Sequence, residues 1–445
     1  MKKWMINHNG YLKACNKVVS AMQPYIDYVM LCDDKPDDRY NVITLSVDPS
    51  IKGVKISVSK AVEPTQSIEI VGQDEAHLFY AACDFKSKFV TFAKTRYNFR
   101  RWNTPKMFDV ALPEYNYESA PKIGQRGIWT WGHTIYDYRR FIDNMAEIKM
   151  NTLIIWNDFV PTNIDEVINY AHENYVKVYL GYAWGWDTVM PKELDDNYIN
   201  GIIENSLKTH REQYKNVKCD GIYFQTITEH KNETLSGRSV AEVVVDMVNK
   251  IGGAILKEQP DLQILFGLHA MPVLNNLSDI AKVDSRISII WEDVGSFPWH
   301  YFPYTMNEFD KTMEITKNIR DLRENGGFGG VLKGYINLYW PTFKHHEGPS
   351  PIGVSHSDYI DDLDRNRREF QRYFKAVWLK FAPKAQELIK EFKFDSMMTV
   401  LVEDACFEKK IAFPVGVYAE LLWDYDRDIS DIIYDVAINP NIDFD

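Results

Sequence analysis

Residues 221–229 read GIYFQTITE, a short apolar run that ends on a carboxylate. Successive side chains of a β-strand point to opposite faces. The face opposite the apolar side chains of this run carries Tyr223, Gln225 and Glu229. In a barrel of parallel strands the outward face packs on helices, so polar side chains point to the interior or to the mouth. The run therefore predicts an inward-facing acid at a strand end.

Seven further runs resemble this one, and amphipathic segments lie between them. The eight strand candidates are RGIWTW (126–131), NTLIIWND (151–158), VKVYLGYAW (176–184), GIYFQTITE (221–229), LQILFGLHA (262–270), RISIIWED (286–293), GVLKGYINLYW (330–340) and GVYAELLWD (416–424). This alternation predicts an α/β fold, a (β/α)8 TIM barrel. An open doubly wound sheet is the alternative fold, but such a sheet normally has fewer strands. It also normally has a Gly-rich phosphate-binding loop after its first strand, and this sequence has no such loop there.

A different pattern precedes the barrel. The segments YNVITLSVDPS, GVKISVSKA and QSIEIVGQ show β-strand alternation, and helical spacing follows Asp74, a candidate N-cap. These features predict a small α/β domain over residues 1–115. The Pro- and Tyr-containing stretch 112–125 is typical of a connection, so we expect the catalytic barrel to span 122–445. A helical insertion is expected near 355–395, outside the barrel or in a contact between copies of a homo-oligomer.

Composition narrows the possible functions. The chain has 445 residues, 45% of them apolar, and a formal net charge of -12 without any Lys/Arg cluster, which argues against nucleic acid as a partner. We expect no signal peptide and no membrane span. Five widely spaced cysteines predict reduced thiols in a cytoplasmic protein. The one metal candidate, FKHHEG (343–348), has adjacent ligands that rarely share an ion, so we expect neither metal nor cofactor.

Aromatic and acidic side chains concentrate at the ends of the predicted strands, where barrel enzymes build their active sites. A single Trp is more often a core residue, but such a concentration predicts a cup that stacks on sugar rings and bonds their hydroxyls. The candidate carbohydrate-binding residues are Trp129, Trp131, Trp156, Asp158, Trp184, Trp186, Thr228, His230, His269, Trp291, Tyr339, Trp340 and Trp423.

Carboxylates at the ends of two different predicted strands are candidates for catalytic groups. Glu292 shares a face of the sixth strand with Ser288 and Ile290, so it is the better inward candidate there, and Asp293 is the second. Glycoside hydrolysis uses two such groups: one protonates the leaving oxygen, and the other attacks, activates water or stabilises positive charge. Glu229 would be the acid. The alternative is a salt-bridged acid at a strand end.

Several segments resemble β-hexosaminidases of glycoside hydrolase family 20 and α-glucuronidases. The end of the small domain that precedes their barrel is similar to SIEIVGQDEAHLFYAACDFKSKF. A helix of their barrel and the second strand after it, which runs to an acid, are similar to FIDNMAEIKMNTLIIWNDF, where the acid is Asp158. INYAHENYVKVYLGYAWGW is similar to the next helix and strand, and AELLWDYDRDISDIIYDVA to the eighth strand.

The resemblance implies that Glu229 is a general acid, but the residue before it differs from the hexosaminidase pattern. Those hexosaminidases end their fourth strand with an Asp-Glu pair whose Asp orients the substrate's acetamido group, whereas this chain has Thr228 before Glu229. We therefore expect a glycoside hydrolase with a second carboxylate, Glu292 or Asp293, and favour inversion. The many aromatic side chains expected to close the mouth favour exo action. The alternatives are a substrate-assisted β-N-acetylhexosaminidase and a non-catalytic carbohydrate-binding barrel.

Overall fold

The structure is a computed structural model. It describes residues 3–26, 28–62, 65–90, 111–130, 135–157, 159–185, 195–229, 234–235, 237–269, 273–294, 309–332, 351–353, 379–380, 382–392, 397–401 and 407–443. The chain divides into two compact units. One contains Met1–Lys122, Ala146–Lys149 and Asp426–Phe444, and the other contains Ile123–Met145 and Met150–Tyr425.

The first unit is built on a mixed sheet of six strands. In spatial order the strands are Met30–Cys32, Trp4–Asn7, Asn41–Val47, Ser67–Gly72, Val54–Val58 and Tyr115–Ser119. Helices Leu12–Met22 and Glu75–Asp84 belong to this unit, and Asp74 caps the second by accepting a hydrogen bond from the backbone N–H of His77. A π-helical turn, Phe85–Val90, extends that helix. The sequence pattern predicted the central strands and this cap correctly.

A buried ion pair lies in the first unit. Lys149 Nζ donates to Asp84 Oδ1 at 2.9 Å, and the two side chains are 2% and 4% exposed. The hydroxyl of Tyr117 donates to the other oxygen, Asp84 Oδ2, at 3.1 Å. Because charges removed from water need both a counter-charge and hydrogen bonds, these contacts make each member dependent on the other.

The second unit is a closed barrel of eight parallel strands, as the sequence predicted. In chain order the strands are Gln125–Trp129, Thr152–Trp156, Lys177–Ala183, Gly221–Gln225, Gln263–Leu268, Ile287–Val294, Phe328–Leu332 and Met397–Leu401. Each pairs with the next, and the eighth pairs with the first, Met397 lying opposite Gln125. The main helices of this unit are Tyr138–Glu147, Ile164–Glu173, Asp196–Thr209, Val240–Glu258, Phe309–Arg320 and Phe413–Trp423, while helix Ile429–Ile438 belongs to the first unit.

Alternate side chains along each strand point inward and fill the barrel interior. Every strand contributes to one buried cluster, formed by Trp129, Ile154, Trp156, Tyr179, Tyr223, Leu265, Ile290, Val331 and Met397. Gly181 makes room for Trp156, because a methyl group there would lie 2.4 Å from the Trp156 ring. The interior is therefore packed with side chains, and any site must lie toward the strand ends.

The predicted eighth strand was wrong. All of GVYAELLWD except its last residue, Asp424, lies in the helix Phe413–Trp423, and the true strand is Met397–Leu401, MMTVL. That helix is apolar and buried on nearly all sides, so it lacks the amphipathic period that distinguishes a helix from a buried strand. Residues 382–391, within the predicted insertion, are helical and precede the strand. Among the described helices, none is long and apolar enough to cross a membrane.

Candidate active site

One buried carboxylate joins the C-terminal ends of three neighbouring barrel strands. Glu292, on the sixth strand, is fully buried. Its Oε1 accepts from the Tyr223 hydroxyl at 2.5 Å, and its Oε2 accepts from Gln225 Nε2 at 2.5 Å. His269 Nε2 lies 2.7 Å from the same Oε2. Strands four, five and six therefore converge on one acid.

The sixth strand directs Glu292 inward by alternation and then changes register. Ile290 belongs to the interior cluster, so Glu292, two residues further, points the same way. Trp291 pairs with Gly330 and Val294 with Leu332, so the sixth strand has one extra residue over this stretch. Such a bulge re-aims the side chains that follow it. The side chain of Asp293 lies outside the described residues.

Gly267 provides the space that the carboxylate occupies. A methyl group at this position would lie 2.0 Å from Glu292 Oε1 and 2.6 Å from the Tyr223 hydroxyl oxygen. These two atoms are hydrogen-bonded to each other, so an added methyl group would press on both partners of this contact. An isolated Gly inside a strand signals this kind of close approach, and sequence reasoning missed it. Sequence reasoning did place Tyr223 and Gln225 on the inward face without assigning them a role.

The fourth strand ends earlier than predicted. It stops at Gln225, and Ile227–Glu229 forms a 3-10 turn, so the alternation argument does not extend to Glu229. Thr228 is fully buried, and its Oγ1 accepts a hydrogen bond from the backbone N–H of His269 at 3.4 Å. This contact ties the turn to the end of the fifth strand. The side chain of Glu229 lies outside the described residues.

Four of the described candidate tryptophans divide into two that point into the barrel and two that point outward. Trp129 and Trp156 point into the barrel, where their rings lie 5.2 Å and 6.0 Å from that of Tyr223, centroid to centroid. Trp184 does not share this interior. It is fully buried and stacks on Phe224 at 3.6 Å, on the face predicted to pack on helices. Trp291 is also buried and lies on the face opposite Glu292, because it alternates with that residue.

Trp423 lies far from the mouth. The sequence predicted Trp423 in the site because it was expected to end the eighth strand, but it belongs to a helix. The guanidinium of Arg126 lies 5.1 Å from its ring centroid. Arg126 is near the start of the first strand, at the N-terminal end of the barrel. Because barrel enzymes react at the other end, Trp423 contributes to the fold and not to the predicted cup.

The remaining candidates fall outside the described part of the chain. They are Trp131, Asp158, Trp186, His230, Tyr339 and Trp340, and the FKHHEG segment lies outside as well. Within the described part, no group of three His, Cys, Asp or Glu side chains could hold a metal ion.

Comparison with known proteins identifies the fold. No protein-family model and no curated protein matches the chain. A β-N-acetylglucosaminidase of glycoside hydrolase family 20 superposes with a TM-score of 0.52 at 10% identity, over 94% of this chain and 87% of that one. A β-N-acetylhexosaminidase from Bacteroides fragilis gives 0.51 at 12% identity, over 95% and 86%. The chain shares the fold of these enzymes. The sequence resemblance to hexosaminidases pointed to the same architecture.

Proposed function

We propose that this protein is a glycoside hydrolase with Glu229 as its general acid. The observation that carries the proposal is the convergence of Tyr223, Gln225 and His269 on Glu292 at the C-terminal ends of adjacent strands. Barrel enzymes hold their catalytic groups at that end. The fold shared with two glycoside hydrolases supports the same conclusion.

Glu229 would donate a proton to the glycosidic oxygen as the bond breaks. It follows the fourth strand on a turn that the Thr228 hydroxyl ties to the fifth strand, so its backbone has a fixed position at the mouth. A positioned acid is needed because an alkoxide is a poor leaving group.

We assign the second carboxylate to Asp293. Glu292 has both oxygens engaged by three close polar groups and has no exposed surface, which leaves it poorly placed to attack a sugar or activate water. Asp293 is the next residue, within the bulge, and would supply the carboxylate that is absent at the Thr228 position. The reaction would then be inverting if the Glu229 and Asp293 carboxyls lie about 6.5–9.5 Å apart, since a water must fit between them.

The substrate would be a terminal sugar residue of a carbohydrate, released by exo action. A substrate-assisted β-N-acetylhexosaminidase is the second candidate, favoured by the shared fold. Thr228 is an argument against it, because that mechanism uses a carboxylate at this position to orient the acetamido group, and Thr228 is already bonded to the backbone of His269.

A panel of 4-nitrophenyl glycosides, each tested with and without a 2-acetamido group where the sugar allows it, tests the proposal. We expect hydrolysis of at least one unmodified glycoside, and hydrolysis of the alkyl glycoside of the same sugar should be lost in Glu229→Gln. Hydrolysis of acetamido sugars alone would support the second candidate. Saturable sugar binding without turnover would indicate a carbohydrate-binding barrel and refute the proposed activity.

A further inference from the structure

The carboxamide of Gln225 has a hydrogen-bond partner on one side only. Its Nε2 donates to Glu292 Oε2 at 2.5 Å. Its Oε1 is buried and has no hydrogen-bond partner within the described part of the chain, although the residue as a whole is only 1% exposed. Because a buried acceptor that stays unpaired costs free energy, native proteins rarely keep one without a donor in the functioning state.

Glu292 decides which way round this amide lies. A carboxylate only accepts hydrogen bonds, and the Tyr223 hydroxyl already donates to its other oxygen. The atom of Gln225 that faces the acid is therefore the nitrogen, and the oxygen lies on the other side of the planar group. An inward-facing acceptor is thus left at the end of the fourth strand.

Small residues flank Gln225 on both neighbouring strands. It pairs with Gly267 of the fifth strand and with Ala183 of the third. Glu292 fills the space over Gly267, because an added methyl group there would lie 2.0 Å from its Oε1. Ala183 has only a methyl group and is partly exposed, and it packs on the interior cluster. The route from the mouth to the Gln225 amide therefore passes over Ala183.

We propose that Gln225 is a specificity-determining residue whose amide oxygen accepts a hydrogen bond from one hydroxyl of the bound sugar. The inference rests on the proposed glycosidase function for the class of ligand. A hydroxyl group projects from the ring, so it reaches an acceptor on the floor of the mouth while the ring stays above Ala183. A sugar without a donor at that carbon leaves the buried oxygen unpaired, and the site therefore selects against it.

Calorimetric titration with free monosaccharides tests the acceptor. The parent sugar is the one released from the 4-nitrophenyl glycoside that is hydrolysed fastest, or the tightest-binding sugar of the panel if none is hydrolysed. It is compared with its monodeoxy derivatives, one for each hydroxyl-bearing carbon. At one carbon, deoxygenation should weaken binding to the wild-type protein about tenfold and leave binding to Gln225→Met nearly unchanged. Each comparison is made within one variant, so a general loss of affinity does not affect it.

The deoxyfluoro derivative at that carbon tests the direction of the hydrogen bond. Fluorine cannot donate, so this derivative should bind the wild-type protein as weakly as the deoxy sugar does. Affinity equal to that of the parent sugar would show that Gln225 presents its nitrogen to the ligand, which would overturn the proposal. A Gln225→Met variant that keeps the wild-type response at every carbon would overturn it as well.

A second Gln separates the role of Gln225 from a general effect of the substitution. Gln213 is exposed on the π-helical segment His210–Tyr214, and Gln213→Met should leave every affinity ratio unchanged. If Gln225→Met does not fold, a crystal structure of the wild-type protein with the parent sugar decides the matter. A sugar hydroxyl within about 3.2 Å of Gln225 Oε1 supports the proposal, and a water molecule in that place overturns it.

Failure of this inference and failure of the proposed function give different results. If glycosides are cleaved and no carbon responds to Gln225→Met, only the role of Gln225 is refuted. If one carbon responds but no glycoside is cleaved, the glycosidase proposal fails and the role of Gln225 stands. If no sugar of the panel binds, the inference is overturned whether or not glycosides are cleaved.

Discussion

Glu292 Oε2 and His269 Nε2 lie 2.7 Å apart, and both side chains are closed to solvent, with exposures of 0% and 3%. A hydrogen bond to a charged group contributes about 1.5–3 kcal/mol, and removing one buried partner also strands the other. Substitutions here must therefore keep shape and hydrogen-bonding capacity if their effect on function is to be separated from their effect on the fold.

Glu229→Gln should lower the hydrolysis rate by roughly 10²–10⁴, the usual worth of general acid catalysis. The loss should be larger for alkyl glycosides than for 4-nitrophenyl glycosides, because nitrophenolate scarcely needs a proton. Steady-state kinetics on both substrate types measures the difference. Equal losses on both would remove Glu229 from the role of acid, and Glu212→Gln, on the outer surface of the barrel unit, is the matched control.

Asp293→Asn and Glu292→Gln should act on different kinetic constants. If Asp293 serves the bond-forming side, Asp293→Asn should reduce kcat by about 10² or more for good and poor leaving groups alike. Glu292→Gln should chiefly raise KM, because it disturbs the hydrogen-bonded cluster of Tyr223, Gln225 and His269 without removing the proposed catalytic pair. The reverse pattern, with kcat lost in Glu292→Gln alone, would make Glu292 the second catalytic carboxylate.

Gly267→Ala should damage the site through overlap with Glu292. The added methyl group would lie 2.0 Å from the Glu292 carboxylate, so we expect a loss of about 1–3 kcal/mol in the free energy of unfolding and a marked loss of activity. Gly253, in the helix Val240–Glu258, has open space at the same position. Gly253→Ala should stabilise the protein by up to about 1 kcal/mol. Urea unfolding of the two variants checks both values.

His210 should make the barrel unit less stable in mild acid. Burial lowers the pKa of His210 below its ordinary 6.5, while its hydrogen bond to Gln259 raises the pKa by a smaller amount. The unfolded chain then binds a proton that the folded chain does not, so stability is full above pH 6.5 and falls as the pH drops toward the folded-state pKa. His210→Gln should show a shallower decline in urea midpoint over this range. An unchanged decline would contradict this assignment.

Lys149→Met should destabilise the protein by about 3–5 kcal/mol, because it leaves the Asp84 carboxylate buried without its counter-charge. The double variant Asp84→Leu with Lys149→Met should recover much of the loss, since it removes both charges. Urea unfolding of the single and double variants measures the coupling. A strictly additive double variant would show that the pair contributes nothing beyond its separate side chains.

Most of the barrel follows from strand periodicity, and the failures have physical causes. Seven strands were predicted because apolar runs alternate with amphipathic helices. The eighth was missed because helix Phe413–Trp423 is buried on nearly all sides, while the real strand is the short run MMTVL. The alternation of side chains along the strands predicted that Tyr223, Gln225 and Glu292 point inward. It could not give the 3-10 turn that carries Glu229, or the outward stack of Trp184 on Phe224, since these depend on where each strand stops.

Closure of the barrel has a consequence for how the protein is made. The pairing of Met397 with Gln125 joins segments roughly 270 residues apart, so forming it carries a large loop-closure entropy. During synthesis, the first seven strands leave the ribosome before the eighth exists, and strands one and seven wait with unpaired edges. Unpaired edges promote aggregation. Translation arrest or truncation before residue 397 should therefore give chains that depend on chaperones, while full-length chains complete the barrel in one late step.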